Sequence, residues 1–277
     1  MRETPLIFGH ESHLVGILCE PDEPARQERP ALLFLNAGLE HRVGPRGLSV
    51  AVARALADAG FASLRFDYAG MGESRKPQSP LAVERRDELQ VECAAAIELL
   101  HERVGCSRVV LFGLCSGADD AHHVALSQSA VAGMIQIDGH AAITAGFKWR
   151  YIAQRLSSPR RWQNWFERKF GAPGDADHAV IERIDFFEMP DRDTLARDLS
   201  TLVARDVRLF YAYSGATHGY YNHAGQLRNA LADIELGDHL HEQFLPSADH
   251  TFSRNAERMR LIEAVIAWLQ SGWPVAE

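Results

Sequence analysis

Cysteine is scarce in this chain. Four are present in 277 residues (Cys19, Cys93, Cys106 and Cys115), scattered and without a CxxC pair. That excludes a disulfide scaffold and offers no zinc signature. Basic charge is also short. The 29 Lys and Arg stand against 37 Asp and Glu, a formal net charge of −8, which disfavours nucleic acid or an anionic membrane as a partner. No apolar run is long enough to span a bilayer. The opening Met1-Arg2-Glu3-Thr4-Pro5 carries an acid, a proline and no apolar h-region, so no secretory signal is expected. No glycine-rich fingerprint follows a first strand and no Walker loop occurs, so no nucleotide cofactor is expected; no metal ligand set is assigned either. Internal repeats, low-complexity tracts and charged tails are missing too. These absences point to a reduced, cytoplasmic protein, in which an unusual cysteine is a candidate for chemistry.

Hydrophobic residues make up 46% and charged residues 24%. This is the mix of a soluble globular domain and excludes intrinsic disorder. The length suits one large domain, or one domain with a small insertion. Two short strands are predicted near Leu6–Phe8 and Leu14–Leu18, followed by a proline-rich turn. Ala31–Leu35 is a continuous apolar run ending at Asn36-Ala37-Gly38, the pattern of a strand buried on both faces. A helix follows over Gly47–Ala59, with apolar residues at helical spacing and a stop at Gly60. Then come a strand (Phe61–Phe66), a long helix (Leu81–Arg103), a strand (Arg108–Phe112), a helix (Ser116–Ser127) and a strand (Val131–Ile137). This alternation predicts an α/β fold, a mostly parallel sheet flanked by helices.

The rhythm breaks over residues 141–206, which read as helical and rich in Arg and aromatics (Phe147, Trp149, Tyr151, Trp162, Trp165, Phe166). It resumes with Val207–Tyr213, a helix near Gln226–Ile234, a strand near Leu240–Leu245 and a last helix over Arg254–Leu269. The expected organisation is therefore a core of residues 1–140 and 207–277, interrupted by a helical cap over 141–206. An insertion between two strands of one sheet belongs over the strands' carboxyl ends, where active sites of such sheets lie.

The strongest local signal is Gly113-Leu114-Cys115-Ser116-Gly117, between a predicted strand and a predicted helix. It has the G-x-nucleophile-x-G form of a nucleophile elbow. A residue on so sharp a turn needs neighbours two positions away without bulky side chains. Glycines 113 and 117 meet this for Cys115. Ser116, flanked at that distance by Leu114 and Ala118, fits worse. Cys115 also falls at a helix N-terminus, where the dipole favours a thiolate. A buried cysteine acting as a small apolar filler is the competing role. Cys19, Cys93 and Cys106 have no such context and read as inert.

With these residues the chain resembles the α/β-hydrolase superfamily over nearly its whole length. Asn36-Ala37-Gly38-Leu39 is similar to the family's oxyanion loop after its third strand, with Leu39 in the place whose backbone N–H donates. Asp67-Tyr68-Ala69-Gly70-Met71-Gly72-Glu73-Ser74 resembles the D-x-R-G-x-G-x-S loop, with Ala69 where Arg is usual. Ala248-Asp249-His250-Thr251-Phe252 resembles the loop that carries the catalytic histidine before the final helix. The resemblance implies His250 as base and, with the Leu39 amide, the Ser116 amide as oxyanion donor. The family usually places an acid after the strand that follows the cap. Here that loop, Ser214 to Tyr221, holds no carboxylate. Asp138, at the preceding strand end, is the substitute, as in some members of the superfamily; a strand-terminal Asp capping a turn is the equal alternative. Arg42 and His218 are candidate substrate-binding residues, each with a surface role as the competing reading.

The expected enzyme is an acyl hydrolase of the esterase or thioesterase type, working through an acyl-cysteine. Its partner is a small-molecule ester or thioester, a carrier-bound acyl group included. A thioester acyl-enzyme exchanges with a thioester substrate nearly isoenergetically, whereas an amide is a poorer match, so a peptidase is not expected. Two rivals stand beside it. One is a biosynthetic acyltransferase using the same cysteine. The other is a non-catalytic binding protein that kept the fold. The acyl group, the acceptor and the oligomeric state are not encoded legibly.

Overall fold

The computed structural model describes residues 1–23, 28–79, 82, 84–156 and 189–274, with side chains described in all of these except 152–156. The strands are β1 (Arg2–Phe8), β2 (Leu14–Glu20), β3 (Ala31–Phe34), β4 (Ser63–Asp67), β5 (Val109–Leu114), β6 (Val131–Ile137), β7 (Arg208–Ser214) and β8 (Leu240–Leu245). They form one sheet in the order β1-β2-β4-β3-β5-β6-β7-β8. The pairs β1/β2 and β2/β4 are antiparallel. Every pair from β4 across to β8 is parallel.

The helices are α1 (Leu48–Asp58), α2 (Arg85–Val104), α3 (Ser116–Ser127), α4 (Ala145–Leu156), α5 (Arg192–Ala204), α6 (Gln226–Ala230) and α7 (Asn255–Gly272). Their ends follow local chemistry. The α2 helix stops at Gly105, whose left-handed φ of 75° lets its N–H reach the His101 carbonyl. The α5 helix starts at Asp191, whose carboxylate accepts from the Thr194 N–H at 2.8 Å.

The central strands read as unbroken apolar runs because both their faces are covered. Along β5, Val109 and Leu111 face a layer built from α2, α3 and α5. The alternate residues Val110, Phe112 and Leu114 face the opposite layer, built from α1 and α7. All five are buried. The period of two thus assigns each side chain to one of two cores.

Of the segment expected to form a cap, residues 157–188, with Trp162, Trp165 and Phe166, lie outside the described residues. The chain after β6 runs beside the segment after β7, since Ala142 accepts from Gln226 Nε2 and Phe147 accepts from Asn222 Nδ2. At the far end, α5 was expected in the cap but belongs to a flanking layer of the sheet. Its Leu195, Leu199 and Leu202 are fully buried in the core beneath α3. His122 on α3 meets Asp198 on α5 at 3.0 Å. Arg205, just past the helix, donates to the carbonyls of Ala125, Leu126 and Gln128 at the end of α3. Among the described residues, no helix is long and apolar enough to cross a membrane.

The placement of α5 has a direct test. Leu199→Ala is expected to lower unfolding free energy by about 2–5 kcal/mol, because it opens a cavity in a packed layer. Ile143→Ala, at an exposed position, is expected to stay within about 0.5 kcal/mol of the parent. Urea denaturation followed by circular dichroism compares the two. Equal, small effects would take α5 out of the core.

Candidate active site

The sheet order itself gathers the site. Strands β5, β6, β7 and β8 are consecutive neighbours and run parallel. Leu114 on β5 pairs with Ile137 on β6, and Ile137 with Ala212 on β7. The next residues, Cys115 and Asp138, therefore leave the sheet at the same level, and Ser214 leaves one strand further along. The hydrogen bonds Cys115 N–H to Ile137 O and Asp138 N–H to Ala212 O, each 2.9 Å, carry the ladder to its rim.

At that rim Cys115 has φ 57° and ψ −120°, a backbone region that costs a non-glycine residue about 1–3 kcal/mol. The flanking glycines make the corner possible. A Cβ on Gly113 would stand 2.0 Å from the Gly117 carbonyl oxygen, and one on Gly117 would stand 2.6 Å from the Asn36 carbonyl oxygen. The thiol is thereby lifted out of the core at the N-terminus of α3. Cys115 is half-buried, whereas the other three cysteines are buried. Burial pushes the Cys19 thiol up to about 11 and raises Cys93 and Cys106 as well.

His250 arrives from the loop after β8. Asp249 shapes that loop by accepting from the N–H groups of Thr251 (2.9 Å) and Ser253 (3.2 Å), and Phe252 anchors it in the core. The His250 Nδ1 stands 2.7 Å from Asp138 Oδ2. A carboxylate only accepts, so Nδ1 carries the proton. The ring's other hydrogen bond is to Cys115, which leaves Nε2 facing the thiol. Asp138 is buried and lies at φ 51°. Its carboxylate also accepts from the Ser214 N–H at 2.6 Å and the Ser214 hydroxyl at 2.7 Å. Three donors thus meet one buried charge, as such a charge requires. The hydrogen bond to Asp138, then that to Cys115, outweigh burial and push the His250 imidazole up to about 10. Its charged form is favoured.

A cavity of about 400 Å³ opens against these groups. Ala37, Gly38, Leu39, Pro45 and Leu114 line it, together with Glu40, Cys115, His250 and Thr251. The turn Ala37–Glu40 forms its wall, closed by the Glu40 N–H to Ala37 O bond at 3.0 Å. Leu39 stands at the tip, 92% exposed. Among the described residues, the amide N–H groups of Leu39 and Ser116 have no hydrogen-bond partner. No group of His, Cys, Asp and Glu suited to a metal ion is found among the described residues.

The structure brings together Cys115, His250, Asp138, Leu39 and Ser116. Two sequence candidates for substrate binding stand elsewhere. The Arg42 guanidinium is committed to the buried Asp67 and to Glu73, because an unpaired charge at Asp67 would be costly; it does not line the cavity. His218 is exposed beyond β7 and is not among the lining residues either. Sequence reasoning missed Ser214, which holds Asp138 from the strand end where the usual acid would be sought. Its signal was position alone, a hydroxyl at the rim of the strand next to β6. Glu40 on the cavity wall was also missed.

A family model described as alpha/beta hydrolase fold matches residues 30–178, more than half of the chain. No curated protein matches. Solved structures resemble the whole chain at low identity, which speaks for the fold alone. An esterase from Pyrococcus furiosus superposes with a TM-score of 0.61 at 12% identity, over 98% of this chain and 91% of that one. A proline iminopeptidase from Mycobacterium smegmatis gives 0.58 at 14%, over 98% of each. A serine hydrolase without a lid from Xanthomonas campestris gives 0.54 at 16%, over 100% and 98%.

The electrostatics can be measured directly. In an NMR titration His250 is expected to keep its ring proton through neutral pH and lose it around pH 10. Asp138→Asn removes the larger cause, so the midpoint should fall by about one unit or more. An unmoved midpoint would remove Asp138 as the partner that sets it.

Proposed function

Because the chain belongs to the alpha/beta hydrolase family, we propose that it is an acyl hydrolase acting on esters or thioesters through a Cys115 nucleophile. The observation that carries this reading is the hydrogen-bonded run Cys115–His250–Asp138, with the cysteine on the strained corner and a cavity beside it.

The steps follow from the placement. His250 takes the Cys115 proton as the sulfur becomes the nucleophile, a transfer that the imidazole's raised affinity for protons favours. The sulfur attacks the acyl carbonyl, and its C=O electron pair moves onto oxygen. The amides of Leu39 and Ser116 receive that oxyanion. As the tetrahedral adduct collapses, the bond to the leaving group breaks, and the departing alkoxide or thiolate takes the His250 proton. An acyl-Cys115 thioester remains. Water then gives its proton to His250 and its oxygen to the carbonyl. The second collapse expels the Cys115 sulfur, and the acyl group leaves as a carboxylic acid. Asp138, held by Ser214, keeps its place throughout and fixes which ring nitrogen faces the thiol.

A hydroxyl in place of the thiol should work poorly here. A serine hydroxyl is far less acidic than a thiol, so it gives His250 its proton less readily and is the weaker nucleophile on a corner built for sulfur. Cys115→Ser is therefore expected to lower kcat/KM for short acyl thioesters by about a hundredfold or more. Cys115→Ala should abolish turnover above background. Chromogenic hydrolysis assays across a series of acyl lengths measure both. Full activity in Cys115→Ala would overturn the proposal.

A further inference from the structure

We propose that the Ser116 hydroxyl is a positioning residue that clamps the oxyanion turn to the nucleophile corner. This deepens the proposed function and rests on it. The Gly38 N–H donates to Ser116 Oγ at 2.6 Å, across 78 positions of sequence. Among the described residues it is the hydrogen bond that joins the turn at residues 36–42 to the corner at residues 115–118.

The turn needs such a clamp. Leu39 at its tip is 92% exposed, so side-chain burial does not fix it. Gly38 takes a left-handed φ of 58°, and as a glycine it has the widest backbone freedom to lose, so its own conformation does not fix the turn. The far side of the turn is tied down independently. Asn36 Nδ2 donates to the Glu40 carbonyl at 2.9 Å. The Arg42 N–H donates to Asp67 at 2.5 Å, and the Tyr68 N–H donates to Asn36 Oδ1 at 3.1 Å. The first bond closes the turn on itself and the other two tie it to the end of β4, not to the nucleophile. Ser116 alone adds a hydrogen bond on the near side, from the position next to the cavity-lining Cys115. One residue thus supplies one oxyanion donor through its amide and sets the distance to the other, Leu39, through its side chain. The engagement of Oγ with Gly38 also explains why this serine, next to the nucleophile, is not the group that meets His250.

Two reactions at the same sulfur separate this role from a general structural one. Acylation of Cys115 by an acyl thioester of N-acetylcysteamine passes through an oxyanion. Alkylation by iodoacetamide is a direct displacement at carbon and forms none. In Ser116→Ala of the full chain, the acylation rate should fall about tenfold or more, the cost of a misplaced donor. The alkylation rate should change by less than about twofold, so the ratio of the two rates is the readout. Ser116→Thr keeps the hydroxyl and should restore most of the ratio. If Ser116→Ala is acylated as fast as the parent, or both rates fall together, the clamp is overturned while the proposed function stands. If the parent Cys115 is alkylated but never acylated, the proposed function falls and the clamp with it.

Discussion

Cys115 sits at φ 57° on a corner between two glycines that have no room for a side chain. That backbone constraint sets where every other group at the site must stand. A strand that ended in relaxed geometry would bury its last side chain between sheet and helix. Here the chain turns so sharply that the side chain stays half-buried at the rim, against the edge of the α1/α7 layer and open to the cavity. The energy stored in the corner, about 1–3 kcal/mol, is offset by the packing of β5 at the sheet's centre, where Val109 to Leu114 are all buried. The corner is affordable only because the strand beneath it is over-determined.

The charge arrangement follows the same economy of position. Asp138 is a buried carboxylate, and a buried carboxylate without partners would take up a proton or unfold its surroundings. Ser214 supplies two donors and His250 the third. The carboxylate that meets His250 thus comes from the end of β6, and the end of β7 contributes a serine that holds it. Because β6 and β7 are neighbours, the histidine from the loop after β8 reaches either. The sheet order makes this exchange of roles between adjacent strands geometrically cheap.

Much of the fold was legible in the sequence, and for a physical reason. Strands covered on both faces need unbroken apolar runs, and helices between them need 3.6-residue spacing; both patterns stand out along residues 31–137. Gly113 and Gly117 flag the corner because steric exclusion leaves no other residue. The affiliation of α5 was not legible, because its buried Leu195, Leu199 and Leu202 have the spacing of any amphipathic helix, and only tertiary contact shows which surface they cover. Arg42 looked available because its partners Asp67 and Glu73 come from a distant loop. The hydroxyl of Ser116 was read only through its amide, since a hydrogen bond across 78 positions leaves no periodic trace.

The central claim is that the sulfur of Cys115 carries the acyl group. Mass spectrometry of the protein, quenched in acid during turnover of an acyl thioester and then digested, tests it most directly. The expected result is a single added acyl mass on the peptide containing Cys115, lost on longer incubation, with Cys19, Cys93 and Cys106 unmodified. An acyl mass found on a serine, or spread evenly over the four cysteines, would contradict it.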